Sequence, residues 1–268
     1  MFQQVLYLLD SLFNMTKLSA HQFINKMKEE PNGQLEKYRS FKPIITKQLD
    51  IELTESGIHK SKSDDQKYIH GNIFEYAVQN AAGYKSKKKD PWIKFGDLYP
   101  SMEEEEKSQY KTFMEEAGRV AWNIFNDNAD TVCCKETKSS TSFERHITND
   151  TFPILTSTLE ADIVVLSSLS DIVCEIKYST MKKDEYQQNY LVHAIVQVLI
   201  YSLVLKLNLS TIQLRILVFF SKTREAVLYE SDIHKNEKLV DLLVNKLKGI
   251  HEEESIDDDM IQSLNINN

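Results

Sequence analysis

Two runs rich in Val and Ile, ADIVVLS (161–167) and DIVCEIKYS (171–179), are separated only by the turn-like stretch SSLS. Such runs read as β-strands, and a short turn between them makes an antiparallel hairpin. Next comes KDEYQQNYLVHAIVQVLIYSLVLKL, which reads as one long helix, then the strands TIQLRILVFF and EAVLYES joined by SKTR. DIHKNEKLVDLLVNKLKG follows as an amphipathic helix stopped by Gly249. Strands and helices in this order predict an α/β fold, a central mixed β-sheet flanked by helices.

The upstream half is mainly helical by the same reading. Residues 1–30 suggest two helices, the second starting near Ser19. Residues 31–66 are polar and irregular, with a turn at Pro31-Asn32-Gly33 and an exposed loop at SKSDDQK. A helix is expected over Tyr68–Ala82, a long connection over 83–100, and a strong helix over 101–126. Ser101 and Glu104 are spaced as a capping box, and the acids that follow suit the positive end of a helix. TVCCKET and TSFERHI are expected to be strands. The resulting division is an N-terminal helical and irregular region (1–66), a core (67–250) and an acidic tail (251–268) expected to be disordered.

Within DIVCEIKYS, Glu175 and Lys177 interrupt an otherwise apolar strand. Side chains alternate, so both face one side while Cys174, Ile176 and Tyr178 face the other. A hairpin centred near Ser168–Leu169 places Asp162 opposite Glu175 or Ile176, within about 5–6 Å of Glu175 by ordinary cross-strand spacing. Two carboxylates that close repel unless a positive charge lies between them. Lys177 supplies one such charge and a divalent cation could supply more, since Mg²⁺ takes one or two carboxylates plus waters and phosphate oxygens.

Asp162 followed thirteen positions later by Glu175-Ile176-Lys177 resembles the core motif of the PD-(D/E)xK nuclease superfamily. The likeness covers roughly residues 68–230, although Ala161 stands where the motif carries Pro. Gln197-x-x-x-Tyr201 on the following helix resembles the Q-x-x-x-Y motif of the lambda-exonuclease-like and RecB-like branches. Extending that face gives Tyr186, Tyr190, His193, Gln197 and Tyr201 as one polar-aromatic stripe. Gly71-x-x-x-Glu75 resembles the Gly-x-x-x-Glu helix of lambda-exonuclease-like nucleases, whose Glu joins or braces the metal shell. Glu115 and Glu116, on the helix 101–126, compete with Glu75 for that part, and Glu75 is preferred for its glycine and apolar flanks. His70 does not fall where RecB-like relatives carry a histidine.

The resemblance implies a restriction-endonuclease-like core and metal-dependent hydrolysis of phosphodiester bonds. Asp162, Glu175, Glu75 and the main-chain carbonyl of Ile176 would hold Mg²⁺ or Mn²⁺, with Asp162, Glu175, Lys177 and Glu75 as catalytic residues. Gln197, Tyr201, His193 and Tyr190 would support the site or meet the substrate. The substrate implied is DNA, in processing, repair or recombination, with exonuclease favoured over endonuclease. The alternatives are an RNA-directed endonuclease and an inactive nuclease fold that binds nucleic acid or a protein.

Composition permits this reading. The chain carries 40 acids against 32 Lys and Arg, a net charge of −8 that looks unsuited to nucleic acid. Six of those acids lie in HEEESIDDDM (251–260), which has no Lys or Arg, so residues 1–250 carry only −2. The run KSKKKD (85–90) is basic. The longest apolar run, around 194–205, is interrupted and too short to span a bilayer. The first residues lack a basic leader, so no secretory signal is expected, and an intracellular location follows. The three cysteines, two of them adjacent, suggest neither a disulfide framework nor a zinc site. Oligomeric state is left open.

Overall fold

A computed structural model describes residues 17–28, 41–49, 63–133 and 139–249. The acidic tail expected over 251–268, the first of the two N-terminal helices, and Cys134 with the rest of CCKET lie outside those residues. The chain forms a mixed six-stranded sheet flanked by helices, the α/β class expected from the sequence.

In chain order the elements are α1 (Ala20–Lys28), β1 (Lys42–Gln48), α2 (Asp64–Ala81), α3 (Pro91–Leu98), α4 (Glu104–Cys133), β2 (Ser140–Thr148), β3 (Thr158–Leu166), β4 (Ile172–Ser179), α5 (Lys183–Asn189), α6 (Leu191–Val204), β5 (Gln213–Phe220), β6 (Glu225–Ser231) and α7 (Glu237–Leu247). The sheet order is β1-β6-β5-β4-β3-β2. Every neighbouring pair is antiparallel except β4 and β5, which run parallel. A parallel pair needs a crossover, and α5 and α6 supply it.

Alternation along the strands sorts the core into two layers. Val164, Val173, Leu214, Ile216, Val218 and Val227 face α1, α6 and α7. Ile163, Val165, Cys174, Ile176, Leu217 and Phe219 face α2 and α4. Burying each such side chain stabilises the fold by about 1.5–3 kcal/mol. Both faces of β4 and β5 are covered, which explains why these strands read as continuous apolar runs. Cys174 and Ile176 fall in the α2/α4 layer, as the alternation predicted, so Glu175 and Lys177 belong to the α6 side.

Helix α2 is held down at two places. His70 is buried, with Nδ1 against Tyr110 Oη at 2.6 Å and Nε2 against Tyr99 Oη at 2.9 Å, and its ring stacks on Tyr178. Farther along, α2 and α4 approach so closely at Ala77 and Gly118 that a Cβ on Gly118 would lie 2.5 Å from the Ala77 main chain. Glycine there is a packing requirement, since any side chain would force the helices apart.

Several expectations are corrected. Residues 42–48, expected to be irregular, form β1 and pair with β6 at the sheet edge. Four of its seven positions are polar, Lys42, Thr46, Lys47 and Gln48, as suits an edge strand and as hides it from a hydrophobicity pattern. The connection 83–100 contains α3, started by Asp90 capping Trp92 N–H and by Pro91 in the first turn. Helix α4 starts at Glu104, later than expected, with Glu106 accepting from the Glu103 N–H at its first turn. It also continues to Cys133, where a strand was expected, while TSFERHI is the strand β2. The long helix after β4 breaks at Tyr190 into α5 and α6. The last helix starts at Glu237, capped by Asn236, and Gly249 follows it at φ +71°. Ser19 does open α1, its hydroxyl accepting from Gln22 N–H while Gln22 Oε1 accepts from Ser19 N–H.

Candidate active site

The hairpin register brings the two acids together. The β3–β4 ladder runs from Val165↔Ile172 to Ile163↔Cys174, so the next position sets Asp162 against Glu175. There the ladder stops, and the Asp162 carboxylate takes over: its Oδ2 accepts the Ile176 N–H at 2.7 Å. Ile176 therefore contributes its main-chain N–H to the acids, a role not expected from the sequence.

Glu175 is 5% exposed. Its Oε1 accepts from Lys177 Nζ at 2.6 Å and from Gln197 Nε2 at 2.8 Å. Its Oε2 is buried with no hydrogen-bond partner. A buried carboxylate oxygen without a donor is costly and calls for a ligand or a proton. Gln197 also donates to Tyr201 Oη at 2.6 Å, and both side chains are buried. The Gln-x-x-x-Tyr pair thus orients the Glu175 carboxylate from the crossover helix.

Glu75 approaches from α2. Its Oε1 accepts from Gln79 Nε2 at 3.0 Å and from Lys88 Nζ at 3.1 Å. Burial, then the facing Asp162 carboxylate, push its carboxyl up to about 7, against the pull of Lys88. Burial and Glu175 raise Asp162, with Lys177 and the Ile176 N–H opposing. Glu175 is raised by burial despite Lys177 beside it. Burial alone would depress the Lys177 ammonium, but Glu175 and Asp162 hold it above the ordinary lysine range. Lys177 is therefore a cation at neutral pH and is one-third exposed.

The candidate upstream acids differ in position. Glu115 is more than half exposed beside Lys111, and Glu116 pairs with Arg119, so neither joins Asp162 and Glu175. Glu75 does. The stripe along the crossover is only partly collected. Tyr186 is buried and lies in electrostatic range of Lys177 and Glu175. His193 is half-buried one turn before Gln197. Tyr190 sits at the break between α5 and α6, 43% exposed, with its ring stacked on Tyr186. The break leaves it partly open to solvent.

Four residues were not anticipated: Lys88, Glu144, Ser86 and Gln79. Lys88 Nζ reaches Glu160 at 2.7 Å and Glu144 at 3.7 Å as well as Glu75. Glu144 is 7% exposed and lies in the left-handed region at φ +45°, inside strand β2 and opposite Asp162 in register. That conformation is strained for a non-glycine residue. Its carboxylate is well supplied: Oε1 accepts from Ser86 Oγ at 2.6 Å and Gln79 Nε2 at 3.3 Å. Burial would raise the Glu144 carboxyl, but Ser86, Lys88, the Lys87 N–H and Gln79 hold it below the ordinary range. Gln79 was findable, one helical turn after Glu75. Lys88 was hidden in a run that reads as a solvated loop, and nothing in TSFERHI marks Glu144.

Among the described residues no group of three or more His, Cys, Asp or Glu is arranged to hold one ion. The donors that converge are the pair Asp162 and Glu175, with Glu75 facing them.

No family model matches the chain, and no curated protein matches its sequence. A solved structure described as "Crystal structure of SSO0001" is similar to it at 14% identity over 66% of this chain and 86% of that one, with a TM-score of 0.26. No helix among the described residues is long and apolar enough to cross a membrane.

Proposed function

We propose that the chain is a Mg²⁺- or Mn²⁺-dependent nuclease that hydrolyses phosphodiester bonds of DNA, of the PD-(D/E)xK kind. The observation that carries this reading is the convergence of Asp162, Glu175 and Lys177 on one face, with Glu175 Oε2 buried and unpartnered. A salt-bridged pair on a solvent-facing strand would not leave a carboxylate oxygen buried without a donor.

Asp162, Glu175, Glu75 and the Ile176 carbonyl are the groups that would hold the ion. A hard cation needing one or two carboxylates and several waters suits this donor set. Bound there, it would polarise the scissile phosphate and lower the pKa of a coordinated water. The chain's own part is positional and electrostatic. Lys177 keeps a point charge beside Glu175, where it can orient a nucleophilic water and stabilise charge on the phosphate oxygens. Gln197 and Tyr201 fix the Glu175 carboxylate, so little reorganisation is needed during reaction. Degradation from strand ends, in DNA processing, repair or recombination, is the favoured mode, from the likeness of Gly71-x-x-x-Glu75 and Gln197-x-x-x-Tyr201 to exonuclease motifs.

One observation favours a second reading, a nuclease fold that binds nucleic acid or a protein without turnover. It is that no three metal-ligating side chains among the described residues are grouped for an ion. Labelled DNA and labelled RNA, each incubated with Mg²⁺ and with chelator, separate the readings. Metal-dependent loss of DNA that Lys177→Ala abolishes supports the proposal. Loss of RNA alone makes the chain an RNA-directed endonuclease, and binding without loss of either polymer favours the second reading.

A further inference from the structure

The loop between α2 and α3 is fixed at the site by every second residue. Tyr84 stacks on Phe143 of β2, with ring centroids 5.1 Å apart. Ser86 Oγ donates to Glu144 at 2.6 Å. Lys88 Nζ reaches Glu75 and Glu160. The Lys87 main chain adds a hydrogen bond to the Glu144 carboxylate, and Asp90 ends the loop by capping α3.

The residues between them point the other way. Lys85, Lys87 and Lys89 are exposed, and none is paired with a carboxylate among the described residues. Three exposed ammonium groups outside any ion pair therefore fall within five residues of chain. Each lies two residues from the next, so their main-chain positions are at most about 7 Å apart. That separation is comparable to the step between neighbouring phosphates along one nucleic-acid strand. The loop also abuts Glu75, so the three charges lie beside the acids.

Resting on the nuclease reading, we infer that Lys85, Lys87 and Lys89 form a lane for the sugar-phosphate backbone of the substrate strand, and that Glu144 is the anchor that holds this lane in place. A flexible lysine loop would lose entropy on binding. A loop already held by Glu144, Glu75 and Glu160 presents its charges preorganised. The lane reads no bases, so it adds affinity without sequence preference. The strained backbone of Glu144 fits an anchoring part, because it turns the carboxylate of a strand residue to meet Ser86 and the Lys87 N–H.

The deciding measurement is anisotropy of a fluorescent single-stranded oligonucleotide titrated with the full chain, in chelator, over a range of salt. Lys85→Ala/Lys87→Ala/Lys89→Ala, which removes only exposed charge, should bind at least about 10-fold more weakly. Its log K against log salt slope should be shallower by about 2, from about 0.7 per released counterion. Glu144→Ala keeps every lysine but removes the loop's hold through Ser86 and the Lys87 N–H. It should also weaken binding, and trypsin should cut it faster between Lys85 and Lys89 than it cuts the parent. If the parent binds and the triple variant binds with equal affinity and slope, the lane is refuted while the nuclease reading stands. If Glu144→Ala binds as tightly as the parent and resists trypsin equally, the anchor is refuted. If the parent binds no oligonucleotide at any salt, the nucleic-acid reading itself falls, and the lane with it.

Discussion

Substituting Glu75 by Gln tests whether the acids of the site face one another as described. The Glu75 carboxyl is raised from an ordinary 4.5 to about 7, first by burial and then by Asp162. In the unfolded chain it ionises near 4.5, and in the folded chain near 7. Between those values the folded state holds the proton more tightly, so the contribution to stability falls as pH rises. It is fully present below about 4.5 and is gone above about 7. Each pH unit in that window is worth about 1.4 kcal/mol, so Glu75 makes the metal-free protein less stable by about 3 kcal/mol between acid and neutral pH. Glu75→Gln would keep the shape and a carbonyl oxygen for Gln79 and Lys88, but the amide cannot ionise. Urea denaturation of chelator-treated parent and Glu75→Gln, at several values from about pH 4.5 to 7.5, measures the difference directly. The variant should gain on the parent by about 3 kcal/mol across the range. Adding Mn²⁺ should stabilise the parent most at the neutral end, where the ion replaces the protons. Two stability curves that stay parallel across the window would refute the clustering of Glu75 with Asp162.

The remaining expectations concern neighbouring groups. Lys177→Ala should reduce the rate of DNA cleavage by at least about 10²-fold, the scale of losing one transition-state donor, with a circular dichroism spectrum like the parent's. Retained activity would remove Lys177 from the chemistry. Asp162→Ala and Glu175→Ala should each abolish both cleavage and the rise in melting temperature given by Mn²⁺, and a surviving thermal shift would place the ion elsewhere. Gly118→Ala should destabilise the fold by about 1–3 kcal/mol in urea, because its Cβ would strike the Ala77 main chain. An unchanged midpoint would show that α2 and α4 can separate freely.

The hairpin and its acids were legible because strand alternation is a strict rule. Once ADIVVLS and DIVCEIKYS are strands, Asp162 must meet Glu175 or its neighbour, and Glu175 and Lys177 must share a face. Gln197 and Tyr201 were legible because helical spacing puts them on one side. β1 was not, since an edge strand half open to water carries Lys42, Thr46, Lys47 and Gln48 and shows no apolar run. The break at Tyr190 was hidden inside a segment with neither Gly nor Pro. Lys88 and Glu144 were invisible for a different reason. Their meaning lies in contacts between a loop and a distant strand, and no local pattern encodes such a contact.

The pairing of β1 with β6 also governs how the chain can assemble. Thr46 meets Val227, so the outer strand is synthesised long before the strand it pairs with. The acids of the site, between Glu75 and Glu175, leave the ribosome before that partner exists. Until β6 arrives, β1 has nothing to join, and the sheet cannot be closed on that side. Contacts so far apart in the chain slow folding, and an unjoined strand edge invites pairing with another molecule. Cutting the chain just before Glu225 is therefore expected to yield aggregates rather than a smaller folded protein, although Glu75, Asp162, Glu175, Lys177, Gln197 and Tyr201 would all be present.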